Sequence, residues 1–114
     1  MAASVILRIC LAALFIGLVG CRRGSENPEQ RGAGIFVRNC ATCHGPSGRP
    51  PLTTTLPVMP RDLSDPGLYQ RLSDSDLKAS IKNGKGAMPA FGVALEDEDL
   101  DQVVAHLHTL ARSR

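Results

Sequence analysis

The residues best suited to chemistry are the run Cys40-Ala41-Thr42-Cys43-His44, in which two thiols stand three positions apart and an imidazole follows directly. This spacing is typical of covalent c-type haem attachment. A cysteine at each end of a short turn can reach the two vinyl groups on one edge of a porphyrin, which brings the next side chain under the iron. The run therefore predicts thioether bonds from Cys40 and Cys43 and makes His44 the candidate axial ligand.

Cys40 and Cys43 have three alternative interpretations: a dithiol redox pair, half of a zinc site, or a disulfide. A structural zinc site needs four ligands, usually with a second Cys or His pair. The other histidines, His106 and His108, lie far downstream at a spacing that points them to different sides of a helix. A thioredoxin-type pair favours a βαβ context, and no strand-like alternation surrounds this one. Haem attachment is the preferred interpretation, and the redox dithiol and the disulfide stay open.

The N-terminal region carries the pattern of an export signal. Residues 9–19 form an apolar run preceded by Arg8, which has the layout of a secretory h-region and is too short to span a bilayer comfortably. The run ends in Leu18-Val19-Gly20-Cys21, which resembles a bacterial lipobox, where the cysteine is diacylated and the peptidase cuts before it. We predict a lipoprotein signal peptide over 1–20 and lipidation of Cys21. The alternative is an ordinary signal peptide that ends near a chance cysteine.

The remaining sequence divides into a tether and one domain. Residues 21–30 are polar and lack apolar periodicity, which predicts a lipid-anchored tether, and residues 31–112 form the single domain that a 114-residue chain can hold. Because Cys10 leaves with the signal peptide, lipid and haem would use every other thiol, which suits an oxidising compartment. Loss of Arg8 leaves 12 basic against 11 acidic residues, a net charge of +1. A net charge this small does not indicate a nucleic-acid-binding surface.

A helix is predicted to deliver the two haem cysteines. Ile35, Phe36 and Asn39 share a helical stripe with both cysteines. Gly45 follows the motif where a helix commonly ends on glycine. Five prolines between residues 46 and 64 then predict an irregular loop.

Three further helices are predicted from their start signals. Asp65-Pro66 supplies an N-cap and a first-turn proline. The run Ser73-Asp74-Ser75-Asp76 matches a capping box for a helix that Gly84 ends. The last helix begins in the acidic run Glu96-Asp97-Glu98-Asp99, which complements the positive end of a helix dipole. Its predicted apolar face consists of Leu100, Val103, Val104, Leu107, Leu110 and Ala111.

Taken in order, these motifs resemble class I cytochromes c over residues 31–111. The matching pieces are Gly32, Phe36, the haem motif, Pro60-Arg61-Asp62-Leu63, Ile81-Lys82-Asn83-Gly84, Met88-Pro89-Ala90-Phe91 and the closing helix. The resemblance implies an all-α protein with the small cytochrome c fold, in which three to four short helices surround one covalently attached haem c. It also implies that the first and last helices cross near Gly32, and that a methionine occupies the second face of the iron.

Two methionines of the mature chain are candidates for that second face. At about 3.3 Å per extended residue, either Met59 or Met88 can pass round the haem edge from His44. Met88 follows a helix and the Gly84–Ala87 segment and precedes Pro89, as the family's sulfur ligand does. The resemblance therefore favours Met88, with Met59 packed over the haem. In the alternative, both methionines are core residues and the iron is five-coordinate.

The resemblance also suggests residues around the haem. The second nitrogen of His44 needs an acceptor, which the family supplies from a proline carbonyl in the following loop, so Pro51, or else Pro50, is the candidate. Arg61 resembles the family's Pro-Arg element near the haem propionates, where a guanidinium suits carboxylates. The alternative for Arg61 is a solvated loop position.

Two residues depart from the family pattern. His106 stands where the last helix usually has Tyr or Phe, which changes the contact expected with Phe36 and Gly32. Glu96 stands where Ser or Thr commonly caps that helix, so its start could shift to an Asp97 cap.

The expected function is electron transfer by a haem that cycles between Fe(II) and Fe(III), without substrate chemistry of the protein's own. A Met/His pair fills both axial positions and raises the reduction potential. The expected partners are redox proteins, with Lys82 and Lys85 near the haem rim, and the expected location is the periplasmic face of a bacterial membrane. The outer membrane is favoured because Arg22 and not Asp follows Cys21. The alternatives are an electron-entry haem subunit of a larger oxidoreductase, or a five-coordinate gas-binding or peroxidase haem protein.

Overall fold

A computed structural model describes residues 27–53 and 55–113. The predicted signal peptide, Cys21 and most of the predicted tether lie outside these residues. The described chain forms five helices, which are α1 (Pro28–Asn39), α2 (Ala41–His44), α3 (Pro66–Arg71), α4 (Asp74–Asn83) and α5 (Asp97–Arg112). The prediction of a small all-α fold is confirmed, and the single-turn α2 accounts for one helix more than expected.

Within the described residues, no helix combines the length and the apolar character needed to cross a membrane.

Helix α1 begins earlier than the tether prediction allowed. The Asn27 side chain accepts a hydrogen bond from the Glu29 backbone N–H at 3.2 Å, and Pro28 occupies the first helical turn. Residues 28–30 are therefore helical, and the tether boundary at residue 30 is corrected. The signal was present in the sequence, because Asn27-Pro28 is the same kind of cap and proline pair that correctly predicted α3.

The core forms where α1 crosses α5. Gly32, Ile35 and Phe36 of α1 are buried at this crossing. The ring of His106 lies against the ring of Phe36, with 5.2 Å between centroids, so histidine takes the aromatic position there. The crossing is at Gly32, as the resemblance implied.

Helix α5 supplies the largest apolar face of the core. It starts at Asp97 with Glu96 as N-cap, and the Glu96 backbone N–H donates to the Asp99 carboxylate at 3.4 Å, so the start does not shift to an Asp97 cap. The predicted apolar face is confirmed for its five buried members, Leu100, Val103, Val104, Leu107 and Leu110. Ala111 is only partly buried.

Helices α3 and α4 begin at their predicted caps. Asp65 accepts from the Gly67 backbone N–H at 3.0 Å. Ser73 and Asp76 form the full capping box, in which the Asp76 N–H donates to the Ser73 hydroxyl at 3.2 Å and the Ser73 N–H donates to the Asp76 carboxylate at 3.0 Å. The Ser73 hydroxyl also donates to the Asp76 carboxylate, at 2.6 Å. This bond, together with the one from the Ser73 N–H, holds the pKa of the Asp76 carboxyl below its usual value. Each cap satisfies N–H groups that a helix start leaves without partners.

Tyr69 of α3 fastens this short helix to the rest of the fold. Its hydroxyl lies within hydrogen-bonding distance of two carbonyl oxygens, those of Leu63 at 2.6 Å and Leu107 at 3.1 Å. Burial, together with the charges of Asp62 and Asp65, raises the pKa of Tyr69 to about 12. The phenol therefore remains a neutral donor and links the loop before α3 to α5.

Candidate functional site

A cavity of about 510 Å³ opens between α1, α4 and α5. This volume lies in the range typical of cofactor and ligand pockets. Its deep wall is apolar and contains Phe36, Leu68, Leu77, Ile81, Val103 and Leu107. The same cavity is lined by Cys40, Cys43 and His44, so the structure brings the whole chemical motif to one pocket.

The single turn α2 explains how two thiols and an imidazole reach one cavity. Helix α1 ends before Cys40, whose carbonyl accepts from the backbone N–H groups of Cys43 at 3.2 Å and His44 at 2.9 Å. Gly45 ends this turn with a φ of +76°, where an added Cβ would overlap the Arg49 carbonyl oxygen. Because this conformation favours glycine, Gly45 lets the chain leave the motif at a sharp angle.

The Cys40 thiol does not have the lowered pKa of a reactive redox cysteine. Cys40 and Cys43 are free, partly buried cysteines. Burial, with a smaller contribution from Cys43, raises the pKa of the Cys40 thiol to about 11, whereas redox-active cysteines have lowered pKa values. Among the described residues, no three His, Cys, Asp or Glu side chains come together as a metal-binding group. The second half of a zinc site is therefore not found in this part of the chain.

The acceptor for His44 differs from the one predicted. Nδ1 of His44 lies 2.9 Å from the backbone carbonyl oxygen of Arg61, so the predicted Pro51 (or Pro50) carbonyl is corrected to Arg61. Pro51 does not line the cavity and is exposed. The physical reason is the Leu63 N–H bond to the Gly48 carbonyl at 2.7 Å, which folds the later part of the loop back onto the haem motif. A backbone acceptor has no side-chain signature, so the sequence offered no signal for it.

Arg61 also lines the cavity through its exposed side chain. The predicted role of its guanidinium toward haem propionates remains a prediction, because the contact that the structure defines is the one made by its carbonyl.

Both candidate sulfur ligands line the cavity. Met88 is partly buried, whereas Met59 is half-exposed. Met88 belongs to a tight turn in which its N–H donates to the Lys85 carbonyl at 3.0 Å and its carbonyl accepts from the Lys85 N–H at 3.1 Å. Gly84 begins this turn with a φ of +73°. The turn therefore gives Met88 a defined backbone position at the cavity.

The segment after Met88 is bound to the end of α4. The Phe91 N–H donates to the Ile81 carbonyl and the Gly92 N–H to the Lys82 carbonyl, both at 3.0 Å. These bonds satisfy carbonyls that the last turn of a helix leaves without partners. The chain that leaves the Met88 turn is thus fixed to the end of α4.

The charges around the cavity are positive. Arg61, Arg71 and Lys85 line it, and none of the acidic side chains that the structure describes does. Lys82, by contrast, pairs with Asp97 at 2.8 Å and lies outside the lining. An apolar pocket with two thiols, an imidazole, a thioether and a cationic rim fits a flat apolar macrocycle that carries two carboxylates.

Sequence comparison decides the family. Residues 27–107 match the profile of the family described as "Cytochrome C oxidase, cbb3-type, subunit III". The chain is also 40% identical over 78 residues to cytochrome c6 of Bryopsis maxima, with 67% of this chain and 84% of that protein covered. The chain belongs to the class I cytochrome c family. As a class I cytochrome c it binds one covalent c-type haem, through Cys40 and Cys43, and its function is haem electron transfer, not catalysis.

Two further relatives of this cytochrome differ in size. Cytochrome c6 of Aphanizomenon flos-aquae is 34% identical over 76 residues, with 67% of this chain and 83% of that protein covered. The cbb3-type cytochrome c oxidase subunit FixP of Azorhizobium caulinodans is 33% identical over 95 residues, which cover 82% of this chain but 31% of that protein. The chain is therefore similar to most of the length of small cytochromes and to about a third of a larger oxidase subunit.

Proposed function

We propose that this class I cytochrome c is a lipid-anchored carrier of single electrons on the periplasmic face of a bacterial membrane, with His44 and Met88 as the axial ligands of its haem. The observation that carries the proposal is one cavity lined by Cys40, Cys43, His44 and Met88. The haem supplies the Fe(II)/Fe(III) couple, and these residues hold it and set its coordination.

Occupation of both axial positions favours a carrier over a catalyst. A neutral sulfur ligand opposite an imidazole raises the reduction potential, and it leaves no open position for a substrate or gas. Met88 is favoured over Met59 because its turn is hydrogen-bonded to Lys85 and it is less exposed. The hydrogen bond from Nδ1 of His44 to the Arg61 carbonyl supports ligation through the other ring nitrogen.

The membrane location rests on the pattern of the leader. The apolar run at 9–19 and the lipobox-like Leu18–Cys21 lie outside the described residues and support lipidation of Cys21 by their sequence alone. Arg22 after the lipidated cysteine favours the outer membrane in a Gram-negative cell. A short tether would then keep the haem domain close to that membrane.

The rim charges suggest the chemistry of the redox partner. Arg61, Arg71 and Lys85 border the cavity, and Arg71 is paired with Asp65 at 3.5 Å. A partner with an acidic surface around its own redox centre would complement this rim and associate faster at low ionic strength. Of the two lysines named from the sequence, Lys85 is the better docking residue because Lys82 is engaged with Asp97.

A second candidate function is supported by the family profile. The match to a cbb3-type oxidase subunit and the similarity to FixP favour an electron-entry haem subunit of a larger oxidoreductase. Stable co-purification with a catalytic subunit would favour this candidate. A free carrier would elute alone.

The test is a spectrum of the full chain produced with c-type haem maturation. A six-coordinate carrier should show a low-spin spectrum, a methionine-to-iron band in the ferric form and negligible CO binding in the ferrous form. Rapid CO binding without denaturant would replace the carrier by the five-coordinate alternative. As a control, the double variant Cys40→Ala/Cys43→Ala should lose acid-resistant haem, and haem that still resists acid extraction would refute covalent attachment.

A further inference from the structure

Ser64 is a polar side chain buried in the core, with 3% of its surface exposed. Its hydroxyl donates to the Asp62 carboxylate at 2.6 Å, and its backbone N–H donates to the same oxygen at 2.8 Å. From the other side, Nε of Arg49 donates to the Ser64 hydroxyl oxygen at 3.3 Å. We refer to Arg49, Asp62 and Ser64 as the Ser64 cluster. It joins the turn after the haem motif to the loop before α3.

The Ser64 cluster lies directly after the residue that contacts His44. The Arg61 carbonyl oxygen is 2.9 Å from Nδ1 of His44. The Leu63 N–H, two residues after Arg61, donates to the Gly48 carbonyl at 2.7 Å. Gly48 directly precedes Arg49 of the cluster. Residues 61–64 are therefore held at three points. The Arg61 carbonyl contacts His44 of the haem motif, and Leu63 and Ser64 are bonded to Gly48 and Arg49 of the turn that follows it.

The chemistry of the cluster suits a rigid support. A hydrogen bond from a hydroxyl to an ionised carboxylate is short and stronger than a neutral one, and the surrounding low dielectric strengthens it further. Gly48, with a φ of +78°, allows close packing here, because an added Cβ would lie 3.2 Å from the Leu63 Cβ. Loss of the Ser64 hydroxyl would remove the buried link and leave the Arg61 carbonyl freer to move.

The position of this carbonyl matters for the iron. When Nδ1–H of an axial histidine donates to a fixed acceptor, the tautomer is set and the ligating nitrogen becomes more basic. A more electron-donating imidazole favours the ferric state and so lowers the reduction potential.

We propose that the Ser64 cluster is a positioning device that holds the Arg61 carbonyl on Nδ1 of His44 and thereby lowers the reduction potential of the haem. The proposal rests on His44 being an axial ligand, which belongs to the proposed function. The three side chains of the cluster act through the Arg61 backbone.

The test uses Ser64→Ala in the haem-loaded protein, a substitution that changes no charge. Two quantities are measured: solvent exchange of the His44 Nδ1–H by NMR in the ferrous protein, and the reduction potential by titration. Exchange should become faster. The reduction potential should rise by up to ~59 mV, which for a one-electron couple corresponds to a tenfold change in the equilibrium constant.

Ser73→Ala is the matched control. Ser73 also donates its hydroxyl to a carboxylate at 2.6 Å, that of Asp76, but it is an exposed cap of α4 and does not line the haem cavity. It should lower the thermal stability and leave both the exchange rate and the potential at their wild-type values. A purely structural role for Ser64 would make Ser64→Ala behave in the same way, and that result would overturn the proposal.

A second variant decides the matter if Ser64→Ala does not fold with haem. Arg49→Ala removes the exposed donor to the Ser64 hydroxyl without altering the buried packing, and it should also speed Nδ1–H exchange. An unchanged exchange rate would overturn the proposal. Failure of the proposed function is recognised separately, because the wild-type protein would then lack a His-ligated low-spin spectrum before any variant is made.

Discussion

Gly32 of α1 lies directly against the backbone carbonyl of Gln102 of α5. A Cβ at position 32 would overlap that carbonyl oxygen and would lie 3.3 Å from the Cβ of His106. Only a residue without a side chain allows the two helices to approach this closely. Their approach places Phe36 and Val103 in the wall of the haem cavity.

Gly32→Ala should therefore separate α1 and α5 and destabilise the protein by about 1–3 kcal/mol, the usual cost of overpacking a core. The free energy of unfolding from denaturant titration measures this. Gly34→Ala is the control, because its Cβ would meet only the flexible end of Arg38 at 3.2 Å, and alanine gains up to ~1 kcal/mol of helix propensity. Equal stability of the two variants would contradict the crossing as described.

Met88→Ala should leave the haem attached and open the sixth coordination position. The reduction potential should fall by a substantial part of the ~0.8 V range that axial ligands cover, because the lost sulfur favoured ferrous iron. CO binding to the ferrous protein and the ferric spectrum report the change. Met59→Ala is the control and should alter packing alone. If only Met59→Ala opens the iron, the ligand assignment is wrong, and if neither does, the iron is five-coordinate.

The stability of the helix crossing should depend on the protonation of His106. Burial lowers the pKa of His106 below its ordinary 6.5, and the charge of Glu29 opposes this in part. The unfolded chain therefore binds the proton more readily. The contribution of the neutral His106 ring to the free energy of unfolding is fully present above pH 6.5. It is lost as the pH falls through the pKa that His106 has in the folded protein.

His106→Phe should retain the ring contact with Phe36 and remove this part of the pH dependence. Denaturant titrations at pH 8 and pH 5 compare the two proteins. The loss of stability between these pH values should be smaller in the variant. An identical loss in both proteins would mean that His106 titrates alike in the folded and unfolded chains.

Lys85→Glu should slow electron transfer with an acidic partner at low ionic strength and weaken the salt dependence of the rate. Lys85 lines the cavity, so its charge acts where a partner would approach. Arg112→Glu makes the same charge change at an exposed position outside the cavity lining, and it should affect the rate much less. Equal effects of the two variants would show that net charge, and not the rim, controls association.

Cys21→Ser should prevent lipidation and cause release of the protein from the membrane fraction, or retention of an uncleaved precursor. Membrane fractionation and mass measurement of the mature N-terminus test this prediction. Wild-type protein that is soluble after release of the periplasm would refute the anchor.

The sequence by itself determined the features that act over a few residues. The haem motif, the caps of α3 and α4 and the glycines that end α2 and α4 are local, because each depends on bonds between residues no more than four positions apart. The apolar stripe of α5 was predictable for the same reason. The early start of α1 at Pro28 was also encoded locally, in Asn27-Pro28, and was missed because the surrounding segment is polar.

The tertiary structure decided what depends on distant segments. Pro51 and Arg61 both follow the haem motif, but the Leu63 bond to Gly48 selects the Arg61 carbonyl as the partner of His44. Lys82 and Lys85 look equivalent in the sequence. In the structure, Lys82 is paired with Asp97 and only Lys85 lines the cavity. Backbone carbonyls are alike at every residue, and ion pairs form between segments far apart in the chain. Only the folded path of the chain determines which of them meet.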